Sequence, residues 1–193
     1  MIKLNLHRLG DDMRLILDMD EVICDFLGKL CEDYNALNQS NLTPEKIDKY
    51  ELAGFIGSEG KSLFLRAGFF DQLKPFPSAK SVIKMLYDEG HDIIIATNAL
   101  GHPDVAADKC RWITQHLPFI YPDNFFIASK KHLIQGDLIF DDSPHVLNKF
   151  PGIKVVMDRP YNKDVNGHRI FNNNWIEFYE LINRLCSSSK CSG

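Results

Sequence analysis

The chain has 193 residues, of which 45% are hydrophobic and 25% charged, a globular composition with enough length for one well-buried core. The formal net charge of −4 argues against a nucleic-acid polymer or an anionic membrane as partner, because both require a basic surface. No apolar run reaches the roughly 18 residues that span a bilayer, and the N-terminus lacks the apolar stretch of a signal peptide.

Five cysteines, at positions 24, 31, 110, 186 and 191, form no CxxC pair. An odd number of cysteines without metal-ligand spacing favours free thiols over a disulfide framework or a zinc site. We therefore expect a protein of the reducing cytoplasm. The sequence leaves the oligomeric state open, and a homodimer is compatible with it.

The first predicted strand covers residues 14–20, a short apolar run that stops at acidic residues. A buried parallel strand has this pattern where it leaves the sheet. Apolar residues at helical spacing over residues 22–30 predict a helix that follows directly. Residues 1–12 are expected to be an extension without a part in catalysis.

The segment 38–73 differs in composition from the rest of the chain. It is first polar and then mixes short helical fragments with glycines at positions 57, 60 and 68. Thr43-Pro44-Glu45 is typical of a helix start, because proline suits the first turn of a helix. We predict a small, mostly helical insertion here.

Strands and helices alternate again after Pro75. The predicted strands are 92–97, 124–129, 137–142 and, last, 153–158; the predicted helices are 78–90, 103–116, a short one to about residue 149, and 175–185. This alternation predicts an α/β fold, a Rossmann-like parallel sheet flanked by helices on both faces. Such sheets bind ligands at the carboxyl ends of their strands.

Chemically active residues follow these strands in chain order. They are Asp18-Met19-Asp20 after the first strand, Thr97-Asn98 after the second, Lys130 and Lys131 after the third, and Asp141-Asp142 after the fourth. Because parallel strands end at the same edge of a sheet, we expect carboxylates, a hydroxyl and an ammonium group to meet there.

This set of groups suits phosphoryl transfer. A carboxylate can attack phosphorus and form a covalent intermediate, and a second one two residues along an extended backbone points the same way and can act as acid and base. Clustered carboxylates repel one another unless a cation lies among them, and Mg²⁺ prefers carboxylate oxygens together with a substrate phosphate. A hydroxyl, an amide and a lysine can hold the phosphate oxygens.

Each feature has a simpler explanation when taken alone. A DxD pair also occurs in sugar-nucleotide transferases and surface turns, and an acidic pair after an apolar run can cap a helix. A threonine at this place is most often an ordinary strand residue, and neighbouring lysines are usually solvated. The ordered occurrence at successive strand ends favours the phosphatase interpretation.

The order DxD, Thr, Lys, Asp-Asp resembles the haloacid dehalogenase superfamily of phosphatases. A closer resemblance, to the 5′(3′)-deoxyribonucleotidase family, covers most of residues 14–180. It rests on LDMDEVICDF (17–26), GFFDQLKPFPSA (68–79), KCRWITQHL (109–117) and SKKHLIQGDLIFDD (129–142), with MDRPYN (157–162) and Trp175 as in bacterial members.

The resemblance implies an Mg²⁺-dependent phosphomonoester hydrolase that acts on deoxyribonucleoside monophosphates through an aspartyl-phosphate. Its catalytic residues would be the nucleophile Asp18 and the acid–base Asp20. The metal ligands would be Asp18, Asp20 through its backbone carbonyl, and Asp142, with Asp141 in support. Thr97, Asn98 and Lys131, rather than Lys130, would bind phosphate.

The same resemblance implies a helical cap, residues 27–73, on a core formed by residues 14–26 and 74–193, with residues 1–13 as an extension and lead-in. Phe26 matches a family position that packs against the nucleobase, and Phe69 and Phe70 are further candidates for this contact. The residues leave an alternative open for each. Phe26 shares a predicted helical face with core residues 22 and 30, and the other two can pack cap against core.

The sequence departs from the family at two positions. Glu21 stands where many relatives have glycine, and Asn98 stands where serine is common in animal relatives. Two other functions therefore stay open: a phosphatase of the same superfamily for another small phosphometabolite, such as a sugar phosphate, or a module that binds phosphate without turnover. The intact Asp18 and Asp20 pair argues against the module, because binding alone does not require a second acid.

Overall fold

The computed structural model describes residues 12–120 and 122–190, and within these residues six strands form one parallel sheet. The strands are β1 (Arg14–Leu17), β2 (Asp92–Thr97), β3 (Phe125–Ile127), β4 (Leu138–Asp141), β5 (Ile153–Met157) and β6 (His168–Ile170). Their order is β3-β2-β1-β4-β5-β6, so β1 lies between β2 and β4. The prediction of a Rossmann-like α/β fold is confirmed.

The helices of the described residues alternate with these strands after the first third of the chain. They are α1 (Phe26–Asn38), α2 (Ala53–Leu65), α3 (Ala79–Asp88), α4 (Pro103–His116), α5 (Pro144–Leu147) and α6 (Trp175–Lys190). Short 3-10 turns cover Pro44–Lys46, Phe70–Gln72, Lys131–Leu133 and Pro160–Asn162. The helix predicted to start at Thr43 is only the 3-10 turn Pro44–Lys46.

Strand residues alternate between two buried layers because successive side chains of a strand point to opposite faces. Leu15 and Leu17 of β1 belong to the larger layer, to which α3, α4 and α6 contribute. Ile16 belongs to the smaller layer, with Val146 and Leu147 of α5. Helices thus cover both faces of the sheet, as predicted.

The predicted helix after β1 begins later than expected. Val22 and Ile23 lie in a turn, in which the Ile23 amide donates to the carbonyl of Met19 (2.9 Å), and α1 begins at Phe26. The extended strand also ends earlier, at Leu17 rather than at residue 20. A hydrogen-bonded turn has no periodic sequence pattern of its own, so the spacing of the apolar residues inside it was interpreted as that of a helix.

The prediction that β5 is the last strand is wrong. β6 pairs in parallel with β5, Met157 being opposite Ile170. β6 lies at the edge of the sheet and has three residues, of which Ile170 is buried. A strand of this length is too short for an alternating pattern to be recognised.

The predicted cap, residues 27–73, contains all of α1 except Phe26, two 3-10 turns and α2, which is interrupted at Gly57 (φ 64°). The division into core and cap stays a prediction. The prediction for the N-terminal extension falls largely on residues 1–11, which lie outside the described residues. Among residues 12–120 and 122–190, none of the helices combines the length and the apolar character needed to cross a bilayer.

The predicted free thiols are observed at Cys24, Cys31 and Cys110, the first two of which are buried. Cys191 lies outside the described residues.

Candidate active site

Three buried carboxylates meet at the carboxyl ends of β1 and β4. Asp18, Asp141 and Asp142 each offer one oxygen, and these oxygens lie within 4.8 Å of one another. The register of the two strands produces this meeting, because Leu17 pairs with Phe140 and the amide of Asp18 donates to the carbonyl of Phe140 (2.9 Å). The strand-end rule thus predicted the neighbours correctly.

Lys131 joins two of these carboxylates. Its Nζ lies 2.6 Å from Asp18 Oδ2 and 2.6 Å from Asp141 Oδ2, and the side chain is buried. Burial disfavours the ammonium form, but the two carboxylates outweigh burial and raise the pKa of Lys131. Lys130 is exposed, so the second lysine of the pair is the one that enters the site.

The carboxylate cluster carries more negative charge than Lys131 neutralises. Burial, followed by the charge of Asp18, raises the pKa of Asp142 to about 7. Burial raises the pKa of Asp141 to about 8, with Lys131 opposing the shift. A divalent cation would relieve this repulsion, and a set of oxygen donors suits a hard cation such as Mg²⁺. The residues present therefore fit a divalent metal.

The segment that follows β5 holds Asp142 in place. The hydroxyl of Tyr161 donates to Asp142 Oδ2 (2.5 Å), and Asn162 Nδ2 donates to the Asp142 carbonyl (2.9 Å). Outer contacts of this kind fix the orientation of a metal-binding carboxylate. Sequence reasoning quoted residues 157–162 for their family likeness but assigned no role to either side chain.

Asp20 lies apart from the three-carboxylate cluster. Its Oδ2 is 2.5 Å from the Nζ of Lys109, while its buried Oδ1 has no hydrogen-bond partner within residues 12–120 and 122–190. Burial raises the pKa of Asp20, with Lys109 opposing and Asp18 adding to the shift. This carboxyl group can therefore hold a proton, and none of the described residues engages its Oδ1. The predicted metal contact of its backbone carbonyl stays a prediction.

Lys109 of α4 is a site residue that sequence reasoning missed. Its fully buried Nζ donates to Asp20 Oδ2, to Thr97 Oγ1 (2.8 Å) and to the carbonyl of Asn98 (2.9 Å). It also lies 4.4 Å from the centroid of the Phe70 ring. The signal was the position of a lysine in the apolar stripe of a helix, since a buried lysine requires an acidic partner.

Thr97, the last residue of β2, and Asn98, which follows it, have different positions. Thr97 is completely buried, and its hydroxyl accepts from Lys109. Asn98 lines the cavity, and its Oδ1 accepts from the amide of Leu100 (2.8 Å) and the hydroxyl of Ser129 (3.3 Å). Both lie at the predicted edge of the sheet, and their phosphate contacts stay a prediction.

A cavity of about 640 Å³ opens above the carboxylates. Its polar floor includes Asp18, Asp20, Lys131 and Asp142; its apolar wall includes Phe26, Leu52, Phe64, Leu65 and Phe70. A cavity of this size and lining fits a small organic phosphate with an apolar planar group.

The aromatic wall is formed by Phe26 and Phe70, whose rings stack with their centroids 5.8 Å apart and an interplanar angle of 13°. Phe69 is fully buried behind the wall and meets both rings edge-on. Val22 lies in the turn before α1, so Phe26 shares a helix with Leu30 but not with Val22, and its ring also packs against the core. The base contacts of these phenylalanines stay a prediction.

Comparisons with known proteins agree with one another. The profile of the family described as 5′ nucleotidase, deoxy (pyrimidine), cytosolic type C protein matches residues 12–188. A protein of Staphylococcus epidermidis provisionally named 5′(3′)-deoxyribonucleotidase is 34% identical over 159 residues, which cover 81% of this chain and 87% of that protein. A 5′(3′)-deoxyribonucleotidase of Bacillus subtilis is 27% identical over 153 residues, covering 79% of this chain and 88% of that one.

Among solved structures, a predicted phosphatase from Clostridium acetobutylicum has a TM-score of 0.61 at 12% identity, covering 90% of this chain and 99% of its own. A hydrolase from Pseudomonas syringae has a TM-score of 0.55 at 15% identity, covering 88% of this chain and 98% of its own. At these identities the likeness concerns the fold alone.

Proposed function

Since this chain belongs to the deoxy (pyrimidine) 5′-nucleotidase family of haloacid dehalogenase phosphatases, we propose that it hydrolyses deoxyribonucleoside monophosphates in the cytoplasm with the help of Mg²⁺. The family resemblance predicted from the motifs is confirmed by the match over residues 12–188. The proposal is carried by one observation: the convergence of Asp18, Lys131 and Asp142 on the floor of a cavity with an aromatic wall.

Asp18 is the nucleophile in this proposal. Its Oδ1 accepts from the Met19 amide (2.7 Å) and its Oδ2 is paired with Lys131, so the carboxylate is held in one orientation beneath the cavity. A nucleophile that is already oriented loses less conformational entropy when it attacks the phosphorus atom, which lowers the barrier. Lys131 also offsets the negative charge that an approaching phosphate would otherwise meet.

Asp20 is the acid that protonates the leaving oxygen and the base that later activates water. Its raised pKa allows it to hold the proton, and no group among the described residues competes for its Oδ1. Lys109 holds the other oxygen and so fixes the direction of the group. General acid–base assistance of this kind is worth about 10²–10⁴ in rate.

Mg²⁺ would be held by Asp18, Asp142 and the backbone carbonyl of Asp20, with Asp141 in support. When bound, it would neutralise phosphate charge as the phosphoryl group moves. The Tyr161 hydroxyl keeps Asp142 oriented for this role.

The substrate class follows from the wall of the cavity and from the relatives. Phe26 and Phe70 line the cavity above the carboxylate floor and provide an aromatic surface against which a planar base can pack. The predicted cap, residues 27–73, supplies Tyr50, which lines the cavity and whose ring meets that of Tyr161 edge-on at 5.7 Å. Two relatives named 5′(3′)-deoxyribonucleotidases support a deoxynucleotide, and the family description favours a pyrimidine.

A substrate panel tests the proposal. Hydrolysis of dUMP, dTMP, AMP and several sugar phosphates is measured with Mg²⁺, with EDTA, and with Mg²⁺ restored. We expect the pyrimidine deoxynucleotides to have the highest kcat/KM and all turnover to depend on the metal. A preference for sugar phosphates would instead identify a phosphatase for another metabolite. Binding of phosphate without hydrolysis of any phosphomonoester, an aryl phosphate included, would identify a module without turnover.

A further inference from the structure

Glu21, the residue directly after Asp20, has a backbone conformation that favours glycine. Its φ is 58°, in the left-handed region where a Cβ atom is unfavourable. The side chain is nevertheless buried, with 4% of its surface exposed, and lines the cavity beside Asp20. Contacts with the rest of the molecule must therefore offset both the backbone strain and the burial of a carboxylate.

Those contacts use every oxygen of Glu21. Oε1 accepts from the amide of Leu27 (2.6 Å), at the start of α1, and Oε2 accepts from Nε of Arg159 (2.7 Å). The carbonyl oxygen accepts from Nη2 of the same arginine (2.6 Å). The guanidinium group thus holds the side chain and the main chain of one residue, which fixes the turn that follows Asp20.

Arg159 is itself anchored to the core. Nη1 donates to the carbonyl of Asp158 (2.9 Å), Nη2 also donates to Asn173 Oδ1 (2.7 Å), and the guanidinium lies 5.5 Å from the centroid of the Phe76 ring. The arginine is largely buried, with 9% of its surface exposed. It therefore connects the turn after β1 to the end of β5 and to the loop before α6.

We propose that Glu21 and Arg159 form a brace that positions Asp20 for proton transfer. The proposal rests on the proposed phosphatase function. Both carboxylate oxygens of Glu21 are occupied by the protein, so the pair acts through Asp20, and both are positioning residues. Without the brace the Asp20–Glu21 peptide can rotate, and the carboxyl group of Asp20 changes its orientation relative to the cavity.

The test uses glycine, the residue type that adopts a left-handed backbone conformation without strain. Glycine at position 21 removes the backbone strain that the brace offsets. We therefore compare four proteins in a double-mutant cycle: the wild type, Arg159→Met, Glu21→Gly and the double variant. We expect Arg159→Met to lower kcat by roughly 10–100-fold, as a small misplacement of a catalytic group does. Its KM should stay within about threefold, because the floor of the cavity is unchanged. The double variant should have a higher kcat than Arg159→Met, although it carries one more substitution.

Arg169→Met is the matched control. Arg169 donates to Asp158 Oδ1 (2.9 Å) and to Asn162 Oδ1 (3.1 Å) in the same region of the core but makes no hydrogen bond to Glu21 among the described residues. Its loss should lower the melting temperature and leave kcat within about twofold of wild type. The affinity for inorganic phosphate in the presence of Mg²⁺, measured by calorimetry, should be the same in all variants, since Asp18, Lys131 and Asn98 are intact.

Three results would contradict the brace. The first is an equal loss of kcat in Arg159→Met and Arg169→Met, and the second is additive losses of kcat in the double variant. The third is a raised KM at unchanged kcat in Arg159→Met, which would place Glu21 in substrate binding. If Arg159→Met does not fold, Arg159→Lys replaces it in the same cycle, because lysine lacks the rigid planar fork with which Nε and Nη2 of Arg159 hold two oxygens of Glu21. A wild-type protein that hydrolyses no phosphomonoester would contradict the proposed function instead. An active wild type with an additive cycle would contradict the brace alone.

Discussion

Two buried lysines form ion pairs with different aspartates of the site. Lys131 pairs with Asp18 and Asp141, and Lys109 pairs with Asp20. The acids differ in proposed chemistry, because Asp18 must attack as an anion while Asp20 must carry a proton. Burial raises the pKa of Asp20, Lys109 opposes that shift, and the ion pair with Lys109 holds the carboxyl group in place.

Replacing Lys109 tests this ion pair at the level of one residue. Lys109→Met leaves Asp20 buried without its cation and free to turn, and should lower kcat for dUMP by about 10²-fold, within the range of acid–base assistance. Lys130→Met, a change at an exposed lysine, is the control and should retain wild-type kinetics. Near-normal kcat in Lys109→Met would show that Asp20 needs no such support.

The raised pKa values of Asp141 and Asp142 predict a pH-dependent metal affinity. An acid with a raised pKa keeps its proton up to neutral pH, and Mg²⁺ must displace that proton in order to bind. Affinity should therefore fall as pH is lowered from 8 to 6, by up to about tenfold per pH unit for each displaced proton. Calorimetric titrations at pH 6, 7 and 8 measure this change, and a constant affinity would contradict it.

Tyr161→Phe provides a companion to these titrations. The Tyr161 hydroxyl lowers the pKa of Asp142, although burial keeps that pKa at about 7. Its removal should raise the pKa and weaken Mg²⁺ binding at pH 7 more than at pH 8. An equal effect at both pH values would mean that the hydroxyl acts on orientation alone.

At the scale of elements, α4 holds the segment that brings Phe70 to the cavity. Asp108 accepts from the amide of Phe70 (3.2 Å), and the indole nitrogen of Trp112 donates to the carbonyl of Leu73 (2.8 Å). Arg111 is paired with both Asp71 and Asp108. One face of a helix thus places an aromatic ring in the cavity wall and, through Lys109, a cation behind it.

Phe70→Leu tests the aromatic wall. Loss of the ring should raise KM for dUMP about threefold to tenfold, because an aromatic pair contributes about 0.5–1.5 kcal/mol beyond buried area. KM for deoxyribose 5-phosphate, which has no base, should not change. Phe69→Leu is the control, since Phe69 packs against Phe70 without lining the cavity, and it should lower the melting temperature without this selective effect. Equal changes of KM for both substrates in Phe70→Leu would argue against a base contact.

Elements with periodic and capping signals were predictable, and those defined by tertiary contacts were not. The bounds of β2 and α4 were predicted as observed, because one is an uninterrupted apolar run and the other begins at a proline. The start of α1 depends on a turn at Glu21, and β6 depends on pairing with β5. Neither leaves a pattern in the local sequence.

The same distinction applies to the site. Asp18, Asp141 and Lys131 could be brought together from sequence, because the strand-end rule converts chain order into proximity. Lys109 could not, since its Nζ meets Asp20 only through the packing of α4 against the sheet edge. Residues that follow strands are placed by topology, whereas residues on helices are placed by packing.

At the scale of the whole molecule, the position of β1 decides the geometry of the site. β1 lies between β2 and β4, so its two aspartates have Thr97 and Asn98 on one side and Asp141 and Asp142 on the other. Both faces of this strand are buried. The nucleophile therefore follows an interior strand of the sheet, with a paired neighbour on each side.

Covalent phosphorylation of Asp18 is tested most directly by trapping. The enzyme is quenched during turnover of dUMP with Mg²⁺ and reduced with borohydride, which converts an acyl-phosphorylated aspartate to homoserine; the tryptic peptide 15–29 is then sequenced by mass spectrometry. We expect homoserine at position 18 in the wild type and none in Asp18→Asn, which should keep its fold and lose turnover. Turnover without modification of Asp18, or homoserine at position 20 instead, would contradict the assignment.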